Sequence, residues 1–499
     1  MIVLKGPFFQ SGLWQEESMM KLRWVSFSLL LIAQFIAVAV IKAAELGLEA
    51  GASAVDITPL EFPLNMPGGF RANVAEEAHD PLYARTVTLR AGETTVSLTV
   101  VDSLGVAPAV LEAAKKAAAE RTGMMVDKML ICSTHTHTGP PSSGSSGAAG
   151  AYRDRLLEGV ADSIVRAHAE IQPARLAVAS QPLPDEVFNR RWFLKPGRME
   201  PNPFGEIDRV KMNPPNRPDV LDRPAGPTDP ELAILSVQTR QGKPLALFAN
   251  YALHYVGGVP RGKLSADYFG EFARLMPSRM RAGDGFVAML SNGASGDINN
   301  IPFASERPPR EPFEQIRLVA TKAADAAWRA HQSISDYQID LTLAMRERWI
   351  DLQYRRPDET QVARAREIVM LSDEEAERKL PRLAKAYARR TIQAAERVED
   401  SVAVPVQAIR IGDVAICGIP FETFVEIGLE LKHRSPFKQT IVIGLANGRH
   451  GYLPTTAQHR LGGYETWLGT NWVQKDAADI IVRHLSEMLA ELHGQESLE

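Results

Sequence analysis

Two histidines stand two residues apart in the run Ser133-Thr-His-Thr-His-Thr-Gly-Pro140, directly after an apolar stretch. Alternate residues of an extended chain share a face. Such a pair at a strand end can supply a metal ligand and a neighbouring acid or base. Two hydrogen-bonded histidines closing a strand would give the same spacing. His254 ends a second apolar run, Ala246-Leu-Phe-Ala-Asn-Tyr-Ala-Leu-His, where a satisfied core histidine is the ordinary alternative. Glu422 sits among apolar residues in Gly418-Ile-Pro-Phe-Glu-Thr-Phe. A carboxylate there is costly to bury unpaired, so it calls for a metal, a cationic partner or an exposed loop. Two histidines and one carboxylate form a common catalytic zinc set that leaves room for water. The turn Ser291-Asn-Gly-Ala-Ser-Gly-Asp-Ile-Asn-Asn300 contains Gly296, Asp297 and Asn299. Turns of this composition offer backbone N–H groups and short polar side chains to a ligand, or simply reverse the chain. Asn189-Arg190-Arg191-Trp192 puts a cation beside an aromatic ring, by itself a common surface feature.

The elements that must position these residues read as an α/β protein. Strand character falls on residues 96–101, 129–134, 232–237 and 245–251. Residues 110–121 form a helical stretch ended by Gly123. Residues 152–169 carry Leu156, Leu157, Val160 and Ile164 on one helical face. Helical patterns recur over 312–331, 361–398 and 476–493, and the capping box Ser372/Glu375 divides the second of these. Residues 193–230 are rich in Pro and Asn without a sustained period and read as a long surface loop. The alternation implies mixed β-sheets with flanking helices in a single large domain over 45–499, with a helical insert at about 355–400.

The chain has 499 residues, 45% of them hydrophobic and 23% charged, and a formal net charge of -4. A sizeable core is therefore available, and no nucleic-acid partner is implied. Two cysteines, Cys132 and Cys417, exclude a disulfide-dense scaffold, and both lie in apolar runs that favour buried thiols. Lys21 and Arg23 precede an apolar run over 24–41 and then Lys42-Ala43-Ala44. This is the secretory signal pattern, with a retained anchor helix as the alternative. Residues 1–44 are accordingly read as leader and signal or anchor, and the mature protein as secreted or periplasmic.

Taken in order, the motifs resemble the catalytic domain of neutral (non-lysosomal) ceramidases. Those that match are Gly51-Ala-Ser-Ala-Val-Asp-Ile-Thr-Pro59, His79-Asp-Pro-Leu-Tyr-Ala-Arg85, the strand end at Asp102, Thr134-His-Thr-His-Thr-Gly-Pro140, Asn189-Arg190, the His254 stretch, Ser265-Ala-Asp267, Gly296-Asp297, Pro420-Phe-Glu422 and Gly451-Tyr-Leu-Pro-Thr. The resemblance implies Zn2+ held by His135, His254, Glu422 and Tyr452. It also implies His137 as general acid or base, and Arg190 and Tyr464 as groups that contact the scissile amide. Ceramidases carry Ser-Pro-Asn after the Gly-Asp turn, and that serine has been assigned as a nucleophile. Here Asn299-Asn300 stand instead, and an amide cannot act as a hydroxyl nucleophile. The immunoglobulin-like C-terminal domain of ceramidases is not expected, because one helix follows Tyr452. The expectation is a zinc-dependent amide hydrolase that uses activated water on ceramide or another N-acyl lipid, with membrane contact through the substrate or the N-terminal segment. Its rival is a zinc-stabilised binding protein without turnover. A deep apolar pocket would suit an acyl lipid, and a wide polar one would not.

Overall fold

The computed structural model describes residues 2, 47–69, 72–305 and 308–494. The chain divides into Met1–Gly47 and Leu48–Glu499, and everything below concerns the second unit. The apolar run expected to be a signal or anchor lies outside the described residues. Among the described residues, no helix is long and apolar enough to cross a membrane.

The main sheet contains β1 (Glu49–Asp56), β2 (Tyr83–Ala91), β3 (Thr94–Val101), β4 (Met129–Ser133), β5 (Gln172–Pro182), β6 (Glu231–Thr239), β7 (Pro244–Tyr251) and β8 (Val287–Asn292). Their order across the sheet is β8-β7-β6-β5-β1-β2-β3-β4. The inner pairs are antiparallel, but each edge strand runs parallel to its neighbour. A smaller sheet holds β9 (Leu343–Gln353), β10 (Ser401–Ile411), β11 (Val414–Gly418) and β12 (Gln439–Ile443).

Both faces of the main sheet are covered, which is why β6 is apolar at almost every position. Ala233, Leu235 and Val237 point into a core shared with Met345, Ile409 and Ile441 of the smaller sheet. Leu232 and Ile234 point the other way, against helices α3 (Asp267–Arg279) and α4 (Glu314–Gln332). Helices α1 (Pro108–Thr122) and α2 (Gly147–Ala169) cover the other half of that face. The smaller sheet is backed by α8 (Val425–Arg434) and α10 (Ala477–His493). The layers therefore run helices, sheet, sheet, helices. Cys132 and Cys417 are free thiols buried in different cores, and burial pushes both up to about 12.

Two features depart from the sequence expectations in detail. Between β9 and β10 the chain forms three helices: α5 (Glu359–Met370), α6 (Asp373–Lys379) and α7 (Ala384–Glu396). The Ser372/Glu375 capping box starts α6, and a further break at Leu380–Leu383 separates α7. Residues 193–230 are not one irregular loop, because Arg191–Leu194 pairs with Val210–Met212 and Leu221–Pro224 in a small sheet. Strands of three or four residues are too short to leave a visible alternation.

Residues 444–447 join the two edges of the main sheet. Gly444 N–H donates to Asn292 O at the end of β8 (3.1 Å), and Ser133 N–H at the end of β4 donates to Leu445 O (3.2 Å). Asn447 N–H donates to Ile131 O (2.7 Å), and its side-chain Oδ1 accepts Ile131 N–H (3.1 Å). Leu445 and Asn447 take φ of 51° and 58° to do so, a conformation that costs a non-glycine residue roughly 1–3 kcal/mol.

Candidate metal centre

Strands β4 and β7 end beside this junction, and each delivers a histidine. His135 lies just beyond β4 with φ of 71°, so the two histidines do not share a strand face as their spacing suggested. The turn is held by His135 N–H donating to Ser103 O at 2.8 Å. His135 Nδ1 lies 2.6 Å from Leu104 O, and His254 Nδ1 lies 3.0 Å from Ser295 O. A carbonyl can only accept, so both rings donate from Nδ1 and turn the Nε2 lone pair inward. Between them stands Glu422, its Oε2 3.3 Å from His135 Nε2 and 3.8 Å from His254 Nε2. His137 brings its own Nε2 to 3.1 Å from that of His135 and stacks on Tyr255 with ring centroids 3.7 Å apart.

Charge and burial agree with this geometry. Burial, reinforced by His135, keeps His254 and His137 well below the ordinary imidazole range, in the neutral form that binds metal. Burial alone would raise the Glu422 carboxyl. His135, which faces it, and the Arg449 guanidinium outweigh it and hold Glu422 well below the usual carboxylate range. His254 Nε2 and Glu422 Oε2 are buried without a hydrogen-bond partner among the described residues. Orphaned buried acceptors are rare, and two around one point fit a cation. The ligand atoms of His135, His137 and His254 all lie within 4.8 Å of one another. Either three histidines, or two with Glu422, could therefore hold a metal ion.

Glu422 and Tyr452 are partners in a short parallel pairing of Glu422–Thr423 with Tyr452–Leu453. Tyr452 Oη accepts a hydrogen bond from Arg190 Nη2 at 3.0 Å, and the Tyr464 ring meets Tyr452 edge-on at 5.7 Å. Arg190 and Arg191 read as surface residues in the sequence. Both are buried, and Glu465 pairs with the two of them (Arg190 Nε 3.1 Å, Arg191 Nη1 2.6 Å). Burial opposes the Arg190 charge, but Tyr452 and Glu465 more than offset it and raise its pKa. Glu465 was missed, although a carboxylate between Tyr464 and Trp467 carries the same signal as Glu422.

Gly296, Asp297 and Asn299, expected to touch substrate, sit behind the carboxylate. Gly296 N–H donates to Thr423 O at 2.7 Å, and a Cβ on Gly296 would lie 2.5 Å from Glu422 O. Asp297 accepts from Asn189 Nδ2 and from Val425 N–H, each at 2.8 Å, and burial raises it to about 6. Asn299 Nδ2 donates to Asn213 Oδ1 at 2.7 Å. These bonds tie the strands of Arg190 and Glu422 together.

A cavity of about 530 Å3 opens onto Glu422, Tyr452 and Tyr464. Its walls include Tyr354, Trp472, Arg390, Arg397, Arg449 and His450, so it is a mixed polar and aromatic space rather than an apolar slot.

A two-sheet α/β protein with a buried histidine–carboxylate centre at strand ends is the class that fold and site define. The fold is that of the neutral ceramidases. The chain matches the crystal structure of neutral ceramidase from Pseudomonas aeruginosa with a TM-score of 0.68 and 17% identity, over 90% of this chain and 75% of that one. A ceramidase complexed with C2 matches with a TM-score of 0.67 and 16% identity, over 90% and 76%. In sequence the chain is 23% identical to neutral ceramidase A of Dictyostelium discoideum over 190 residues, 35% of this chain. That match spans 24% of the curated relative's length. No family profile matches the chain.

Proposed function

We propose that this protein is an exported zinc-dependent hydrolase of an amide bond in ceramide or another N-acyl lipid. The mixed polar and aromatic cavity favours a polar N-acyl substrate over ceramide itself. The observation that carries the reading is the pair of buried histidines, each fixed through Nδ1, aimed at an unpartnered Glu422 oxygen. His135, His254 and Glu422 would hold the zinc, with Tyr452 beside them. Zinc in such a site lowers the pKa of water and polarises a carbonyl. His137 is neutral and within reach of the same point, so it can take a proton from water and give it to the leaving amine. Arg190 and Tyr464 supply fixed donors near the oxygen that gains charge. Water adds to the acyl carbon, the C–N bond breaks, and an acid and an amine leave. No serine is required, which suits Asn299.

Purified protein, with and without chelator, is to be tested on a panel of N-acyl amides and esters while bound metal is measured. Chelator-sensitive amide turnover is expected. Metal binding without any turnover would replace the proposal with the zinc-stabilised binding protein. Export is tested by the N-terminal residue of the mature protein. An intact residue 1 in protein recovered from the cytoplasm would exclude it.

A further inference from the structure

Arg397 ends helix α7 and lies over two aromatic rings, with its guanidinium carbon 3.8 Å from the Tyr354 centroid and 5.0 Å from that of Trp472. Such stacking fixes a guanidinium without consuming its in-plane donors. Two turns earlier on the same helix, Arg390 faces the same cavity and donates to Gly469 O at 3.0 Å. Across the cavity, Arg449 lays its aliphatic stem against Gly105, where a Cβ would collide with its side-chain carbons. Neither Arg397 nor Arg449 has a carboxylate within ion-pair distance among the described residues, and Glu422 is the sole acid on the lining. His450 adds a buried Nε2 with no hydrogen-bond partner. Arg397 and Arg449, with Glu422 at the metal centre the one acid among the described lining residues, leave an excess of positive charge directly in front of the candidate chemistry.

We propose that this cavity receives an oxyanion of the substrate, so that the scissile amide is presented by a molecule with a carboxylate or phosphate a few bonds away. The proposal deepens the hydrolase reading and rests on it. Arg397 and Arg449 are the specificity residues, because a planar guanidinium fork matches the geometry of a carboxylate or phosphate. N-acyl amino acids and phosphate-bearing N-acyl amides fit, and a neutral N-acyl alcohol leaves the arginines uncompensated.

The test is calorimetric titration of zinc-loaded protein with three dodecyl ethers that lack an amide. They are dodecyloxyacetate, 2-dodecyloxyethyl phosphate and 2-dodecyloxyethanol. At least one anion should bind roughly tenfold or more tighter than the alcohol, and whichever anion prevails identifies the group. The preference should shrink as salt rises. It should vanish in R397M/R449M and return in part in R397K/R449K. Equal binding of all three, no binding of any, or a preference that survives in R397M/R449M and so belongs to the metal centre, overturns the proposal. Because these ligands cannot be cleaved, the two readings separate. Anion preference without turnover of any amide would sink the hydrolase alone. Equal cleavage of neutral and anionic amides, with equal binding, would sink the anion site alone.

Discussion

His135 and His254 are anchored through Nδ1 to carbonyls, whereas His137 leans on the face of Tyr255. That difference assigns them separate work. His135→Ala and Glu422→Ala should each lose stoichiometric metal and turnover. His137→Ala should keep its metal and lose about 10²–10⁴-fold in turnover. Plasma mass spectrometry of the purified variants decides, and a metal-free His137→Ala protein would point to the three-histidine set instead. Glu465 pairs with two buried guanidiniums, those of Arg190 and Arg191. Glu465→Gln leaves both under-compensated and should cost about 3–5 kcal/mol of stability in urea unfolding. At this scale the sequence was legible where a residue was out of place for its surroundings, as Glu422 is among apolar neighbours. It was silent where the meaning lies in a distant partner. Nothing local to Asn189-Arg190-Arg191-Trp192 reveals that Glu465 buries the two arginines.

Helix α2 is legible from its apolar face and strand β6 from its apolar run, whereas the 11-residue strands β5, β9 and β10 fall outside the strand expectations. Short elements are no more legible, and the Glu422–Thr423 and Tyr452–Leu453 pairing has no period to find. Its position is instead enforced by a glycine. Gly296→Ala would drive a methyl group into the Glu422 carbonyl, so it should displace this strand, lower metal occupancy and reduce the melting temperature. Unchanged occupancy at an unchanged melting temperature would refute that role. The short helix α9 (Thr456–Leu461) carries His459, which burial, with help from Arg355 and Lys475, lowers to about 3. The folded ring stays neutral while the unfolded chain takes up a proton below about pH 6.5. Stability is therefore lost as pH falls from about 6.5 toward 3. His459→Gln should remove up to about 2 kcal/mol of that loss at pH 5, relative to the difference between the two proteins at pH 7.5. Denaturant titrations at the two pH values measure it.

For the molecule as a whole, the layers were legible as a class, but the closure was not. The alternation of strands and helices implies α/β, yet no pattern says that residues 444–447 hold the two edges of an eight-stranded sheet to each other. That closure gives the site a history as well as a geometry. A chain leaves the ribosome from its N-terminus, and domains generally fold as units during synthesis. His135 and His254 emerge early, beyond the ends of strands at opposite sides of the sheet, with nothing yet to span the gap. The carboxylate and the residues that clasp the edges arrive together, close to the end. Metal should therefore enter last, as a lock on a finished fold rather than a seed for it. A ribosome-stalled chain exposed through residue 410 should bind no zinc despite containing both histidines, and one exposed through residue 494 should bind it. Zinc retention by the shorter chain at the affinity of the longer one would show that the two edges meet unaided.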